Sequence, residues 1–340
     1  MVNDRKSLIR MIQNLHESPD AKGKAIFEEN RLSLSDPRLH EFLRAHHMQT
    51  DRRSALKEYL ESASTHRVIA VIERFCNGNK KLAICEIGAG DGFLAFALIK
   101  AGFTNVDIVE PSSDSITGTG FLREINPEEQ IVIYNDLESW YRSTKRYDIL
   151  ITNACIHHFQ NPLFVILQVR LKSHLNTMWL AFNEFIAADY ADTMTQLLNH
   201  RHATLYGLYE FPYSPHFYRQ MFYYAGFKPL EIEPPLSYMQ MMLRGNFCHL
   251  FILQKLSRLT SAFLRYFRMT WLIYDFVRFV VLHTQRDKIR AMDPFYMAYK
   301  AKPIGWAKVK PNLQFLQLRA LGSRLNKHMN TSRAKNGPLI

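Results

Sequence analysis

The spacing of apolar positions changes character near residue 81. Before it, Leu56, Tyr59 and Leu60 are followed by Val68, Ile69, Val71, Ile72 and Phe75 at intervals close to three and four, and residues 1–78 read as a helical segment punctuated at Ser35, Asp36 and Pro37. After it, short apolar runs at 82–87, 105–110, 130–134, 147–153 and 177–184 alternate with helical stretches. Strands that are apolar nearly throughout and alternate with helices predict a parallel sheet covered on both faces, so the fold class is α/β, doubly wound. Helices are predicted over 188–202 and 214–224, the second stopped by Gly226. A sixth strand follows at 228–232, and a seventh run at 295–300 closes before Lys302 and Pro303.

These patterns divide the chain. Residues 1–78 form an N-terminal helical segment, 79–235 the core, 236–293 a basic, aromatic helical insert and 294–321 the last strand with a C-terminal segment; 322–340, polar and unpatterned, read as a disordered tail. With 340 residues and 47% hydrophobic side chains the chain has material for a real core, which excludes disordered and fibrous classes. Cys76, Cys85, Cys155 and Cys248 form no CxxC pair, so neither a zinc site nor an extracellular disulfide framework is expected. The N-terminus has no signal-peptide core, and no apolar run reaches the length of a membrane span; the expected location is cytoplasmic, peripheral to a membrane if the insert meets lipid.

Charge is distributed unevenly. Residues 1–240 carry 25 basic and 28 acidic side chains, whereas 241–340 carry 18 basic and 3 acidic. A basic C-terminal third attracts anionic partners, whether lipid headgroups, nucleic acid or acidic proteins. Within it Lys255, Arg258, Arg265, Arg268, Asp275 and Arg278 would wind as one stripe along a long helix, among Phe263, Tyr266, Phe267, Trp271, Tyr274, Phe276 and Phe279. Such a helix can be a lid over a pocket, a homodimer contact, or an anionic membrane or lipid contact through residues 237–293. Nucleic acid ranks last, because no reading motif accompanies the charge.

The sharpest chemical feature is the strand at 82–87 running into Glu86, Ile87, Gly88, Ala89, Gly90, Asp91 and Gly92 and then into a helix. Glycines there let the backbone turn and a ligand approach closely. Phe93 stands where a dinucleotide fingerprint needs its third glycine, which argues against nicotinamide or flavin. Glu86 suits an ammonium group rather than pyrophosphate. Glu110 ends the second strand, where a carboxylate can receive both ribose hydroxyls; Asp136 ends the third, where it can accept from an exocyclic amine while Leu137 packs on a purine face.

With those residues in that order, residues 80–235 and the run near 295–303 resemble the class I S-adenosylmethionine-dependent methyltransferases. The resemblance implies a Rossmann-like seven-stranded sheet with its last strand antiparallel beside the sixth, S-adenosylmethionine as cofactor and S-adenosylhomocysteine as product. It places Glu86, Gly88, Ala89, Gly90 and Gly92 at the methionine end, Glu110 at the ribose, Asp136 and Leu137 at the adenine, and Asn153 beside them at the fourth strand's end. Two departures concern local geometry: the family often has an acid at Asn153, and usually a glycine pair before the fifth strand, where this chain has Ser173, His174, Leu175 and Asn176.

The fourth strand leads into His157 and His158, either of which can act as a general base or simply pack and hydrogen-bond. Glu184, after the fifth strand, faces the same crevice, as acceptor contact or structural carboxylate. Tyr206, Tyr209, Phe211, Tyr213, Phe217 and Tyr218 line an acceptor pocket or pack helices. The expected activity is methyl transfer to an oxygen or nitrogen of a small, apolar or aromatic acceptor. Its rivals are a protein or RNA methyltransferase docking through the basic third, and a non-catalytic cofactor-binding or membrane-associated protein.

Overall fold

The computed structural model describes residues 49–126, 130–159, 161–200, 211–233 and 293–302, with Trp271, Tyr274, Asp275, Arg278 and Phe279 of a helical stretch between the last two strands. Residues 1–48, Tyr206, Tyr209, Cys248, most of the 237–293 insert and the 322–340 tail lie outside them.

Two helices enter the core: α1 (Arg52–Glu61), whose N-cap Asp51 accepts from the Ser54 N–H, and α2 (Ala63–Cys76), capped by Ser62 through the Thr65 N–H. Each carboxylate or hydroxyl cap satisfies one of the donors a helix start leaves open. The sheet follows as β1 (Ile84–Ile87), α3 (Phe93–Lys100), β2 (Val106–Val109), α4 (Gly120–Ile125), β3 (Ile131–Tyr134), α5 (Leu137–Arg142) and β4 (Tyr147–Asn153). After a single 3₁₀ turn come α6 (Pro162–Leu171), β5 (Ser173–Phe182), α7 (Tyr190–Asn199), α8 (Pro215–Tyr224), β6 (Phe227–Glu233) and β7 (Tyr296–Ala301).

The strand order is β3-β2-β1-β4-β5-β7-β6, with β7 antiparallel to both neighbours and the pairings among β1 to β5 parallel. This is the Rossmann-like seven-stranded architecture of class I methyltransferases. Period-two alternation shows why both faces are covered. In β5, Trp179 and Ala181 join one apolar cluster, with Trp140, Tyr147 and Phe222, while Leu180 and Phe182 join the other, with Ile72, Leu98 and Phe103. Strands β1 and β2 are buried at every position, the carboxylates Glu86 and Asp107 included.

The fifth strand begins earlier than its apolar run suggests. Tyr147 pairs with Ser173 and Ile149 with Met178, so the polar stretch 174–177 bulges between two ladder contacts and leaves Leu175 exposed. The strand order reverses between β1 and β4, and the crevice at their carboxyl ends is where open α/β sheets bind ligands.

Candidate functional site

The turn after β1 is built from three residues with positive φ: Gly88 (69°), Gly90 (55°) and Gly92 (73°). Gly88 and Gly90 answer different needs. A Cβ on Gly88 would sit 2.1 Å from Cys155 Sγ, whereas one on Gly90 would meet only the Thr117 carbonyl, at 3.8 Å. The first glycine lets β1 and β4 close together, and the second keeps the crevice open. Gly92 is the N-cap of α3, whose Phe93 N–H donates to Asp91 Oδ1 at 3.1 Å.

Glu86 is 2% exposed and its Oε2 has no hydrogen-bond partner. Burial, with Asp91 and Glu110 nearby, pushes its carboxyl well above the usual range. A buried acceptor without a donor is costly unless a ligand supplies one. An ammonium or N–H at this spot would satisfy it, and the residues present fit a cationic amino-acid moiety.

Glu110 accepts from the Gly90 N–H at 2.8 Å and the Ser112 N–H at 2.9 Å. Burial nevertheless raises its pKa to about 7 against those two bonds. It fixes the glycine turn against the next loop, and each of its oxygens keeps a second lone pair for hydroxyls. Asp136 caps α5 through Oδ1 to the Ser139 N–H at 2.6 Å, and Leu137, half-buried, opens that helix. Ala89 is buried within the turn. Asn153 Oδ1 accepts from Asn183 Nδ2 at 2.9 Å, joining the ends of β4 and β5, and Ala154 and Asn183 both have φ near +50°. Positive φ at two non-glycine residues marks a constrained mouth.

Sequence spacing did not find Arg52. Its guanidinium reaches from α1 to Asp91 Oδ2 at 2.8 Å and lies 4.5 Å over the Phe93 ring, 6% exposed. Burial raises the Asp91 carboxyl to about 6 even though Arg52 opposes the shift. Tyr59 packs edge-on against the same ring, 5.6 Å between centroids. Asp91 was visible in the glycine turn, but no local pattern names a partner 39 residues earlier.

The turn after β4 is organised by Glu184. Its carboxylate accepts from the Cys155 N–H at 3.3 Å and the Ile156 N–H at 3.0 Å, and its Oε2 lies 3.0 Å from His157 Nδ1. With the proton on Nδ1 the carboxylate accepts from it and Nε2 is the basic nitrogen of His157; the Phe185 N–H also approaches Nδ1, at 3.3 Å. His157 is buried and its carbonyl accepts from the Phe211 N–H; His158 is exposed, its ring 4.3 Å from that of His157. The structure thus brings Glu184 and His157 together and sets His158 outside them.

Tyr213 lies on the other side of the Glu184 segment. It bridges to Ile186, its ring stacks on Phe217 at 5.1 Å, and it tilts against Phe211 at 4.9 Å. The Tyr218 hydroxyl donates to the Phe185 carbonyl. Part of the insert closes this wall. Trp271 and Tyr274 are buried, and Arg278 donates to the Ala187 carbonyl at 2.9 Å. Asp275 and Arg278 are therefore engaged with the core, Asp275 through Arg219, rather than lying on a solvated stripe. Among the described residues no cluster of potential metal ligands occurs.

Solved structures similar to this chain include the magnesium protoporphyrin IX methyltransferase of Synechocystis with bound S-adenosylhomocysteine. It is 16% identical, with 56% of this chain and 86% of that one covered and a TM-score of 0.40. The 1,6-didemethyltoxoflavin N1-methyltransferase of Burkholderia thailandensis is 13% identical, over 57% and 81%, at 0.38. The YcgJ protein of Bacillus subtilis is 13% identical, over 71% and 100%, at 0.44. No curated protein matches the sequence. The methyltransferase-domain family model matches residues 59–232, just over half of the chain and the whole span from Tyr59 through the glycine turn to β6. The chain belongs to that family, and it is a class I S-adenosylmethionine-dependent methyltransferase.

Proposed function

We propose that this enzyme methylates an oxygen or nitrogen of a small, apolar or aromatic acceptor held between the His157 turn and the Phe211, Tyr213 and Phe217 cluster. The observation that carries the reading is the Glu184 carboxylate, buried and shared by two backbone N–H groups and His157 Nδ1. So many bonds to one side chain fix the imidazole at the crevice mouth more rigidly than packing requires.

When bound, the cofactor supplies a sulfonium methyl that is already strongly electrophilic. The chain's own residues then have three tasks. Glu86 would receive the ammonium of the amino-acid moiety, Glu110 the ribose hydroxyls, and Asp136 with Leu137 the adenine; Gly88, Ala89, Gly90 and Gly92 would give the backbone surface, and Asn153 would hold the mouth. The aromatic wall orients the acceptor and excludes water, so that most of the rate comes from alignment. The proton that the acceptor gives up on methylation would go to His157, whose imidazolium Glu184 would stabilise. Of the roles open to the insert, a lid is supported by Arg278, which donates to the carbonyl of Ala187 beside Tyr213, while Trp271 packs on Tyr299 of β7.

Calorimetric titration with S-adenosylmethionine and S-adenosylhomocysteine tests the first part: micromolar binding by the native protein, lost in Gly90→Arg. An acceptor panel with His157→Asn tests the second. The variant should keep cofactor affinity and lose about 10²-fold or more in turnover at neutral pH. Full activity in His157→Asn would remove the general base from the mechanism.

A further inference from the structure

Between α1, α3 and α4 lies a groove of about 390 Å³ whose lining residues methyl transfer does not use. Its floor is apolar: Leu56 and Leu60 of α1, Phe96 of α3, and Phe121 and Ile125 of α4. Leu56 and Phe121 are buried and the other three half-buried. All five belong to one small apolar cluster that also holds the fully buried Phe93. A concave apolar surface of this size falls in the range of small-molecule sites.

The rim is basic. Arg53 and Lys57 stand exposed along it, one turn apart on α1, and the Lys100 ammonium lies 5.4 Å over the Phe96 ring. Glu61, the last residue of α1, is the one carboxylate among the lining residues. Among the described residues neither Arg53 nor Lys57 is in an ion pair; Arg53 has only a minor part in lowering the Asp51 carboxyl, which Ser54 holds. Their placement is unfavourable for the helix taken alone. The first turn of α1 has Arg52 and Arg53 and no acid, the wrong sign for the positive end of the helix dipole, and like charges four residues apart repel. Arg52 is answered by Asp91, whereas no described carboxylate answers Arg53 and Lys57.

We propose that this groove binds an amphiphilic carboxylate, its aliphatic chain laid on Leu60, Phe96 and Ile125 and its carboxylate held by Arg53 and Lys57. Such a ligand makes charge-assisted hydrogen bonds to two cations that have no anion, and covers apolar surface that is otherwise wet. A cationic amphiphile meets the same floor but the wrong rim; a hydrophilic anion meets the rim and leaves the floor uncovered. The groove also bears on the cofactor site, because Phe121 belongs to both. Its ring packs edge-on against Phe93, 6.3 Å between centroids, with the Arg52 guanidinium 6.0 Å over it. A ligand that fastens α1 to α3 and α4 therefore also holds Arg52 on Asp91 in the glycine turn, and occupancy of the groove tightens the cofactor site.

The test is calorimetric titration of the full chain with decanoate, with acetate as the head group alone and decyltrimethylammonium as the same chain under the opposite charge, each below its micelle concentration. Two variants are compared: Arg53→Glu/Lys57→Glu, which changes only exposed positions, and Ile125→Trp, which fills the floor. Each is checked for native folding by its melting curve. The native protein should bind decanoate and neither control. The charge variant should bind it about tenfold more weakly or worse, the worth of one hydrogen bond to a charged group, and the tryptophan variant should also weaken. In saturating decanoate, S-adenosylhomocysteine should bind about fivefold tighter or more, with the same factor in reverse. Undiminished decanoate binding by both folded variants would overturn the proposal, as would equal binding of decyltrimethylammonium. Absence of decanoate binding would overturn it in favour of a segment of the chain itself, and a dimer that the charge variant dissociates would do so in favour of a second copy. Unchanged S-adenosylhomocysteine affinity in saturating decanoate would overturn the link through α1. Titration with S-adenosylhomocysteine alone reports separately on the cofactor site, so failure of one reading does not mimic failure of the other.

Discussion

At the residue scale, Gly88 and Gly90 separate two demands that one glycine-rich turn conceals. Gly88→Ala forces a Cβ to 2.1 Å from Cys155 Sγ at a φ of 69°, and should cost about 1–3 kcal/mol of stability in urea unfolding. Adding Cys155→Ala should recover only the steric part. Gly90→Ala meets no protein atom closer than 3.8 Å, so beyond the about 1–2 kcal/mol that a Cβ costs at a φ of 55°, its loss should fall on cofactor affinity. The buried acids set the pH behaviour. The ligand-free protein keeps the Glu110 proton up to about pH 7, whereas the unfolded chain loses it near 4.5. A folded-state pKa raised in this way means stability is unaffected below the lower value, falls as pH rises between the two, and carries the full penalty above the higher. An ammonium at Glu86 and hydroxyls at Glu110 favour both ionised forms, so binding should release protons, from Glu110 below about pH 7 and from Glu86, whose carboxyl is raised by burial, as well. Calorimetry in two buffers of different ionisation enthalpy measures that release; proton uptake would contradict the assigned role of the acids.

At the element scale, α1 is part of the site because Arg52 closes on Asp91 and Phe93 from outside the sheet. Arg52→Leu should destabilise the fold by about 1.5–3 kcal/mol, the worth of a hydrogen bond to a charged group, and weaken cofactor binding with it. Its stability deficit should shrink in acid as Asp91 protonates through about 6, which urea titrations at two pH values would show. The turn between β4 and α6 depends similarly on β5. Glu184→Gln keeps size but gives the amide one carbonyl for the Cys155 and Ile156 N–H donors and His157 together. A structural role alone predicts lower stability with unchanged pH dependence of turnover; the proposed role predicts a displaced acidic limb in the rate profile.

At the scale of the whole molecule, a ligand that binds only the folded state must stabilise it. S-adenosylhomocysteine at about a hundredfold over its Kd should add about 2.7 kcal/mol, or about 5–11 °C in melting temperature for a domain of this size. Gly90→Arg should show none of that increment. No helix among the described residues is long and apolar enough to cross a membrane. The excess of 15 positive charges in residues 241–340 is legible from composition alone.

The sequence by itself determined the class of fold, the strand sequence and the Glu86 to Gly92 turn, because each is written in local periodicity or in residues adjacent along the chain. Apolar runs in β1 and β2 state burial on both faces, and Gly226 states where α8 stops. Only the tertiary structure decided which of two neighbouring histidines is buried against Glu184, since adjacent positions differ in direction and a partner 27 residues away has no fixed phase with either. It decided that Asp91 is answered by Arg52, that Asp275 and Arg278 hold the insert to the core, and that Ser173 to Thr177 bulge instead of forming a regular strand start. Each depends on contacts between segments far apart in the chain, whose geometry is set by packing across the sheet and leaves no period in the sequence.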